Sequence, residues 1–388
     1  MKSSYITVCI SVRVTMFILT VIGILSIGYH VNTVQNIGTE FRFLAKITRS
    51  NTETINTPKL SDNNKMTTNY KEFTKIFTVL WYTKPYWIAS YLYKFKFRNC
   101  AFNHCELLNN IADLNRSDAV LFHHSEMNSV AIPNKAKNQT WIFMSDESNI
   151  HTQKYFMKEK WRNNNFDWTY SYRSDSDIYL PYGEFAQRSV PVAKNYSDIY
   201  RKKTKNVAWV ASNCNPLFSR NNYIAELKKY IDVDVYGKCG KPCSTWNDDS
   251  CFKYLSGDYK FYLAFENSLC EDYVTEKAFR LYQENFNIIP VYRGAPNVKD
   301  ILPAGTFIPA LDFKSPKALA VYLKSVADNE IVYSNYLKEK DKFWAAPYTR
   351  LEIVEFIYCS VCEKLSTNYT RGTKLDLTSW IMNKGCRH

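Results

Sequence analysis

Apolar runs that end abruptly in polar residues recur along the chain, and they predict buried strands of parallel sheets. Tyr259–Phe265 is aromatic and aliphatic except for Lys260, as a strand covered on both faces should be. Residues 287–292 form a second, β-branched run that ends at a Gly-Ala-Pro turn. Between the two runs, residues 273–284 place their apolar side chains on one side, with Asp272 as a candidate N-cap. These segments predict a strand–helix–strand unit of about 35 residues.

Further apolar runs predict strands closer to the N-terminus. They span residues 76–82, 118–123, 141–144 and 207–211. A basic segment, residues 200–206, separates the last run from the others and predicts a linker. The pattern therefore predicts an α/β protein with two successive Rossmann-like halves and an active site between them.

The first 74 residues differ from the rest. Residues 13–30 carry a long apolar segment, borderline for the about 20 residues that span a bilayer. We interpret it as a signal-anchor helix, with residues 1–12 as a cytosolic tail. A signal peptide cleaved after Gly28 is the alternative, because Ser26 and Gly28 form a small-x-small pattern. Residues 31–74 are polar and without periodicity, which predicts a flexible stem.

Polar side chains gather where such sheets bind ligands, beyond the carboxyl ends of strands and at helix N-termini. One group follows the strand Tyr259–Phe265 directly, and another occupies the first turn of the helix predicted after it. The two groups are Glu266, Asn267 and Ser268, and Thr275, Glu276 and Lys277. An ammonium group there can bind a diphosphate, and a carboxylate can accept hydrogen bonds from ribose hydroxyls.

This stretch resembles the donor-binding signature of the α1,3-fucosyltransferases of glycosyltransferase family 10, and most closely the invertebrate type. The matching residues are Phe-Tyr-Leu-Ala-Phe-Glu-Asn-Ser at 261–268, Asp-Tyr at 272–273 and Thr-Glu-Lys at 275–277. The resemblance extends over about residues 76–362 and implies two facing Rossmann-like domains of the GT-B type. An acceptor-side domain is expected at residues 75–200, a GDP-fucose-binding domain at 201–350, and a C-terminal segment at 351–388 that packs back on the first domain.

The resemblance also implies a general base. Residues 141–148 are similar to the family's Trp-x-x-Met-x-x-Glu-Ser segment, and its proposed base corresponds by register to Glu147. Asp146 stands beside it, so which carboxylate acts stays open. Residues 167–183 resemble the segment that leads to the interdomain linker, where Tyr172 and Arg173 are candidates to face the donor.

The remaining donor residues follow in the same way. Residues 207–213, which end at Asn213, and Arg220 at a helix start resemble the opening of the donor domain. A guanidinium group there can bind a phosphate bidentately. The roles that the resemblance implies are a donor pocket shaped by Asn267 and Tyr273, a ribose bound by Glu276, and charge stabilisation on the leaving GDP by Lys277 and Arg220. Glu266 and Asn213 complete the predicted donor set.

Metal motifs are weak in this sequence. His123 and His124 end a predicted strand, but no Cys or carboxylate with ligand spacing lies nearby, so plain strand-end polar residues are favoured. Two Asp-x-Asp pairs, at residues 175–177 and 232–234, match a short and frequent manganese motif. We therefore predict no metal site and no required cofactor, although Mn²⁺ or Mg²⁺ could stimulate activity.

Eleven cysteines and four Asn-x-Ser/Thr sequons indicate a secretory, oxidising compartment. The sequons, predicted to be glycosylated, lie at Asn115, Asn138, Asn195 and Asn368. The disulfide candidates are Cys100, Cys105, Cys214, Cys239, Cys243, Cys251, Cys270, Cys359 and Cys362. No spacing matches a standard zinc finger. The family resemblance implies that Cys359 and Cys362 reach back to Cys100 and Cys105.

The distribution of charge argues against one class of function, nucleic-acid binding. The net charge is +13, but Lys and Arg are dispersed and no zinc finger, RNP motif or basic helix is present, so nucleic-acid binding is not expected.

The predicted function is inverting transfer of L-fucose from GDP-β-L-fucose to the 3-hydroxyl of GlcNAc in N-glycans, at the Golgi membrane, by a single-pass type II protein. The alternatives are Lewis-type transfer to lactosamine or LacdiNAc antennae, transfer from another sugar nucleotide, and a non-catalytic carbohydrate-binding protein.

Overall fold

The computed structural model describes residues 75–92, 95–156, 161, 166–214, 219–243, 250–284, 286–382 and 386–387. The predicted cytosolic tail, anchor and stem lie outside these residues. Among the helices that are described, none combines the length and the apolar character that crossing a bilayer requires. The described residues belong to one compact unit, and within it the chain forms two parallel sheets.

The first sheet has six parallel strands in the order β2-β1-β3-β4-β5-β6. Its strands are β1 Phe77–Thr83, β2 Cys105–Leu108, β3 Ala119–His123, β4 Thr140–Ser145, β5 Trp168–Ser171 and β6 Ile178–Tyr179. Both faces are buried: Leu121 and Ile142 belong to one core cluster, and Phe122 and Phe143 to another. Two covered faces are what an all-parallel sheet requires, which explains its continuous apolar runs.

The second sheet has five parallel strands in the order β13-β12-β10-β8-β9. Its strands are β8 Lys205–Val210, β9 Val233–Tyr236, β10 Tyr259–Phe265, β12 Ile289–Arg293 and β13 Ile308–Pro309. It is again covered on both faces, with Phe261 and Val291 in one cluster and Tyr262 and Tyr292 in the other. The α/β class and the strands of the predicted strand–helix–strand unit are confirmed, whereas the predicted domain boundaries stay predictions.

Two short antiparallel ribbons complete the strands, β7 Gly183–Gln187 with β14 Phe343–Pro347, and β11 Leu269–Cys270 with β15 Cys386–Arg387. The α-helices of the described residues are Tyr86–Leu92, Asn149–Phe156, Tyr196–Lys202, Ser219–Leu227, Ser250–Asp258, Glu276–Phe279, Pro316–Ala327, Glu330–Lys340, Arg350–Ser366 and Leu377–Met382. Helix Arg350–Ser366 packs against the first sheet, where Ile357 and Val361 are fully buried. A helix close to the C-terminus therefore contributes to the hydrophobic core of the first sheet.

The helix expected at residues 273–284 is shorter than predicted. It comprises one α-turn, Glu276–Phe279, and a 3₁₀ turn, Arg280–Tyr282, and it begins after Thr275. The prediction that Asp272 is its N-cap is wrong. Asp272 has a left-handed backbone with φ of 61°, and its carboxylate accepts hydrogen bonds from Ser174 instead. The predicted linker at residues 200–206 is also wrong in part, because it begins inside helix Tyr196–Lys202.

All ten cysteines of the described chain form disulfides. The pairs are Cys100–Cys359, Cys105–Cys362, Cys214–Cys239, Cys243–Cys251 and Cys270–Cys386. The implied pairing of Cys359 and Cys362 with Cys100 and Cys105 is confirmed. Cys386, absent from the predicted set, is the partner of Cys270. The four sequon asparagines are exposed, and their glycosylation stays a prediction.

Candidate active site

Glu147 lies two residues beyond the end of β4, at the carboxyl edge of the first sheet. Its backbone carbonyl accepts hydrogen bonds from the hydroxyls of Ser145 (3.3 Å) and Thr152 (3.1 Å), which define the shape of the turn. Its side chain is half-buried, and its Oε2 accepts a hydrogen bond of 3.2 Å from the hydroxyl of Tyr273. The predicted base therefore contacts a residue of the predicted donor signature.

Three tyrosines surround this contact. The ring of Tyr273 lies 4.9 Å from that of Tyr172 and 6.1 Å from that of Tyr182, measured between centroids. Burial raises the pKa of each of the three hydroxyls above its usual value, and the charge of Glu147 raises it further. The hydroxyls consequently stay protonated near neutral pH, and Tyr273 remains a hydrogen-bond donor to Glu147.

A second contact joins the same two loops. The hydroxyl of Ser148, beside Glu147, lies 2.8 Å from that of Ser268, which follows β10. The charges of both Glu147 and Glu276 act on half-buried Tyr182. The carboxyl edge of the first sheet and the donor signature of the second therefore form one continuous site.

Asp146 is bound differently from its neighbour Glu147. Its Oδ1 lies 3.2 Å from Nε2 of His123 and 3.9 Å from Nδ1 of His124. Desolvation by burial would raise the pKa of this carboxyl, but the two histidines together hold it well below its usual range. A carboxylate with so low a pKa is a weak base, so these contacts favour Glu147, whose role stays a prediction.

His123, His124 and Asp146 also form the one cluster of potential metal ligands found in the described parts of the chain. Their ligand atoms all lie within 4.8 Å of one another. Burial lowers the pKa of His124 to about 4, so its imidazole is neutral, as metal ligation requires. The sequence showed no carboxylate near the two histidines, but the structure brings Asp146 next to them, because β3 and β4 are neighbouring strands. The three residues could hold a divalent cation.

The donor side is built around a buried carboxylate. Glu266 is 1 % exposed and accepts hydrogen bonds from the backbone N–H of Thr275 (2.8 Å) and from its hydroxyl. Lys277 Nζ lies 3.2 Å from Glu266 and 3.1 Å from Glu276. Burial lowers the pKa of Lys277, but the two carboxylates outweigh it and raise the pKa above its usual value. The ammonium group therefore stays charged at the helix start, where a phosphate would bind.

Arg220 is the second residue of helix Ser219–Leu227, at the carboxyl edge of the second sheet. Its Nη1 donates to the backbone carbonyl of Phe265 (3.3 Å), and the charges of Glu266 and Glu276 act on it. Its Nε is buried and has no hydrogen-bond partner in the described structure, and the same holds for Oδ1 of Asn267. Buried polar atoms without partners at a strand end are available to a ligand.

Two predicted site residues are placed elsewhere. Arg173 donates two hydrogen bonds to the carboxylate of Asp175 (2.9 and 2.7 Å) and stacks on the ring of Trp380 at 4.0 Å. These contacts connect it to the C-terminal segment, and its donor role stays a prediction. Asn213 is exposed beyond β8. Tyr182 reaches the site without having been predicted, because its position depends on contacts between distant segments, such as that of its ring with the ring of Tyr273.

The geometry defines the class. Glu147, beyond one parallel sheet, contacts Tyr273 of the segment beyond the other, and that segment also carries the charged Lys277, as expected of an α/β enzyme that transfers a group from a phosphorylated donor. The family profile "Glycosyltransferase family 10 (fucosyltransferase) C-term" matches residues 200–380, and "Fucosyltransferase, N-terminal" matches residues 52–183. The chain belongs to the glycosyltransferase family 10 fucosyltransferases.

Three relatives illustrate the similarity. Glycoprotein 3-alpha-L-fucosyltransferase A of Drosophila melanogaster is 36% identical over 69% of this chain and 51% of its own. Alpha-(1,3)-fucosyltransferase C of the same organism is 33% identical over 74% and 71%. GDP-fucose protein O-fucosyltransferase 3 of Xenopus laevis is 32% identical over 64% and 59%. The chain thus spans about half the length of the first of these relatives.

Proposed function

We propose that this protein is an inverting α-(1,3)-fucosyltransferase that uses GDP-β-L-fucose. One observation carries the proposal: the hydrogen bond between Tyr273, within the donor signature, and Glu147, the candidate base beyond the other sheet. Family membership and the two α-1,3-type relatives from Drosophila support the reaction. Two cations, buried Arg220 and half-buried Lys277, support a donor that carries a diphosphate.

The reaction follows from this placement. The carboxylate of Glu147 takes the proton of an acceptor hydroxyl, whose oxygen attacks the anomeric carbon of fucose. The bond from that carbon to the β-phosphate oxygen breaks, and GDP leaves with the electron pair. Attack opposite the leaving group converts the β-linked donor into an α-linked product. Lys277 and Arg220 stabilise the charge that develops on GDP, because charges in a desolvated site act strongly.

For the acceptor, we propose the 3-hydroxyl of GlcNAc in N-glycans. Support comes from the name of the first Drosophila relative, which describes a glycoprotein 3-fucosyltransferase. The five disulfides support an oxidising compartment and are consistent with a Golgi-lumenal catalytic region on a type II membrane protein.

The test uses the full chain, GDP-fucose and a mixture of N-glycans and lactosamine-type oligosaccharides, with products mapped by mass spectrometry. A deoxyhexose on the 3-position of an N-glycan core GlcNAc is the expected product. A product on lactosamine or LacdiNAc antennae would identify a Lewis-type enzyme. Tight GDP binding with no product on any acceptor would overturn the proposal in favour of a non-catalytic carbohydrate-binding protein. Glu147→Gln, which preserves shape, is the matched inactive control.

A further inference from the structure

Arg293 is the last residue of β12, and its position is set by its neighbour on β10. The two strands pair in parallel with Arg293 beside Phe265, so both side chains leave the same face of the sheet. Helix Ser219–Leu227 covers that face. The Arg293 guanidinium lies 4.8 Å from the ring centre of Tyr223, and that ring lies 5.6 Å from the ring of Phe265. Arg293 is thereby directed at the first turns of this helix.

Arg220 occupies the same helix face. Residues three apart on a helix are neighbours on its surface, so Arg220 and Tyr223 face the same way. Arg220 also donates to the carbonyl of Phe265, next to the position that pairs with Arg293. Two guanidinium groups therefore gather around the carboxyl end of β10 and the start of a nine-residue helix. Such a helix start favours an anion.

The partners of these two cations are incomplete. Arg293 is 8 % exposed and Arg220 is 6 % exposed, yet Nε and Nη1 of Arg293 and Nε of Arg220 have no hydrogen-bond partner in the described structure. No salt bridge joins either guanidinium to a carboxylate of the described residues. A buried charge without a partner is costly, and an arginine cannot avoid the cost by losing its proton.

Other buried basic groups of the described residues lower this cost in different ways. Arg173, which is 2 % exposed, forms a two-point ion pair with Asp175. Buried Lys203 and Lys340 donate to backbone carbonyls, and burial lowers the pKa of each to about 7, so a lysine can give up its charge where an arginine cannot. The pair Arg220 and Arg293 is therefore distinguished by buried N–H groups without a hydrogen-bond partner, which the other buried arginines of the described residues do not have. Its N–H groups require an acceptor with several anionic oxygens within a few ångströms, and a diphosphate provides that.

We propose that Arg293 is a second guanidinium for the diphosphate of the donor, beside Arg220; this inference rests on the proposed function. Arg220 binds from the helix start and Arg293 from the strand next to β10, so the diphosphate is contacted from two elements. Stacking on Tyr223 orients the planar guanidinium and excludes water from one of its faces. Arg293 is a binding residue in this scheme and takes no part in proton transfer.

The test compares ligands with and without the diphosphate. Calorimetric titration of the full chain with GDP and with guanosine is carried out for the wild type, Arg293→Gln and Arg293→Lys. Arg293→Gln should weaken GDP binding by about 10- to 100-fold, as expected for the loss of charge-assisted hydrogen bonds, and guanosine binding by less than about 2-fold. Arg293→Lys keeps the charge but not the two-point geometry and should fall between the two.

Arg350→Gln is the matched control. Arg350 also stacks on an aromatic ring, that of Trp87 at 5.2 Å, but it belongs to the helix that covers the first sheet. Its replacement should leave both affinities unchanged. The affinity of Arg293→Gln for GDP should also depend less on salt than that of the wild type, because one cationic contact is missing.

Three results would overturn the inference. Equal loss of GDP and guanosine affinity would assign Arg293 to packing, and unchanged GDP affinity would remove it from the diphosphate site. If the Gln variant does not fold, full wild-type affinity in Arg293→Lys contradicts the two-point contact. A wild type that transfers fucose while Arg293→Gln binds GDP normally rejects this inference alone. A wild type that does not bind GDP rejects the proposed function as well.

Discussion

Two loops meet in the candidate active site, and they differ in how many partners their carboxylates have. The carboxylates of the base loop (residues 145–148) are half-buried: the Asp146 side chain is 40% exposed, and within the described residues the Glu147 carboxylate has one side-chain hydrogen bond, from Tyr273. The donor segment (residues 266–277) buries its central carboxylate, Glu266, and saturates it with Thr275 and Lys277. The base loop is thus completed by a residue from the other sheet, whereas the donor segment completes itself.

This difference suits the base loop to proton transfer and the donor segment to binding. A carboxylate with few partners can accept a proton, because little is lost when its charge disappears. A saturated carboxylate is a structural element that holds Lys277 and the helix start in place for the donor. Substitutions in the base loop should therefore lower kcat, whereas substitutions in the donor segment should lower stability and GDP affinity.

The largest expected effect is in the base loop. Glu147→Gln should lower kcat by about 10²- to 10⁴-fold, since the general base is lost, while GDP affinity changes by less than about 2-fold. Radiolabelled fucose transfer and calorimetric GDP titration measure the two quantities. The control is Asp146→Asn, whose kcat should fall by far less. A larger loss in Asp146→Asn would assign the base to Asp146.

The matching substitution in the donor segment is Lys277→Met. It leaves Glu266 buried without its cation, so the free energy of unfolding should fall by about 3 kcal/mol. GDP affinity should fall as well, because the ammonium group no longer meets the diphosphate. Denaturant unfolding and GDP titration give both values. Restored stability in Lys277→Met with Glu266→Gln would confirm that the unpaired carboxylate causes the loss; no restoration would contradict it.

The surroundings of the base loop should also make the fold acid-sensitive. The pKa of His124 is about 4 in the folded protein, below its ordinary value of 6.5, so the unfolded chain binds a proton more readily. Stability contributed by neutral His124 is present above pH 6.5 and is lost as pH falls toward 4, by about 3 kcal/mol. Thermal unfolding between pH 7 and pH 4 measures this, and the same slope in His124→Gln would disprove the assignment.

A smaller effect is expected at the contact between the loops. Tyr273→Phe removes the hydrogen bond to Glu147 and should change kcat by about 10-fold, because one hydrogen bond to a charged group is lost. The KM for GDP-fucose should hardly change if the ring itself shapes the donor pocket. Steady-state kinetics with each substrate varied in turn separate the two effects. A KM change without a kcat change would place Tyr273 wholly on the donor side.

The smallest effect is expected from metal removal. In the proposed function the cations that stabilise the leaving GDP are Lys277 and Arg220, so EDTA should leave transfer largely unchanged in the standard assay. The measurement is fucose transfer before and after chelation, with Mn²⁺ added back. If EDTA abolishes transfer and Mn²⁺ restores it, His123, His124 and Asp146 become the candidates to hold the ion.

The same comparison explains what could be predicted from the sequence. Glu266, Thr275 and Lys277 interact within twelve residues, so their arrangement follows from a strand end and a helix start that can be read directly. His123 and Asp146 come from neighbouring strands, and the sequence alone does not reveal that adjacency. The N-cap prediction failed at Asp272 because its carboxylate binds Ser174, 98 residues away.

Arg293 shows the same limit more sharply. In the sequence it is a polar residue at the end of an apolar run, like many others. Its meaning depends on three facts that only the packed structure supplies: its register beside Phe265, the helix that covers that face, and the lack of a carboxylate partner in the described residues. A buried charge is recognisable from its environment and not from its neighbours in sequence.

The helix Arg350–Ser366 has a consequence for how the protein is made. It supplies buried side chains to the core of the first sheet, and its Cys359 and Cys362 are bonded to residues about 260 positions earlier. During synthesis the first sheet must wait, with one face uncovered, until the second sheet has emerged from the ribosome. A nascent chain that stops before this helix therefore exposes an apolar surface and the two unpaired thiols of Cys100 and Cys105, and such a chain is prone to aggregate.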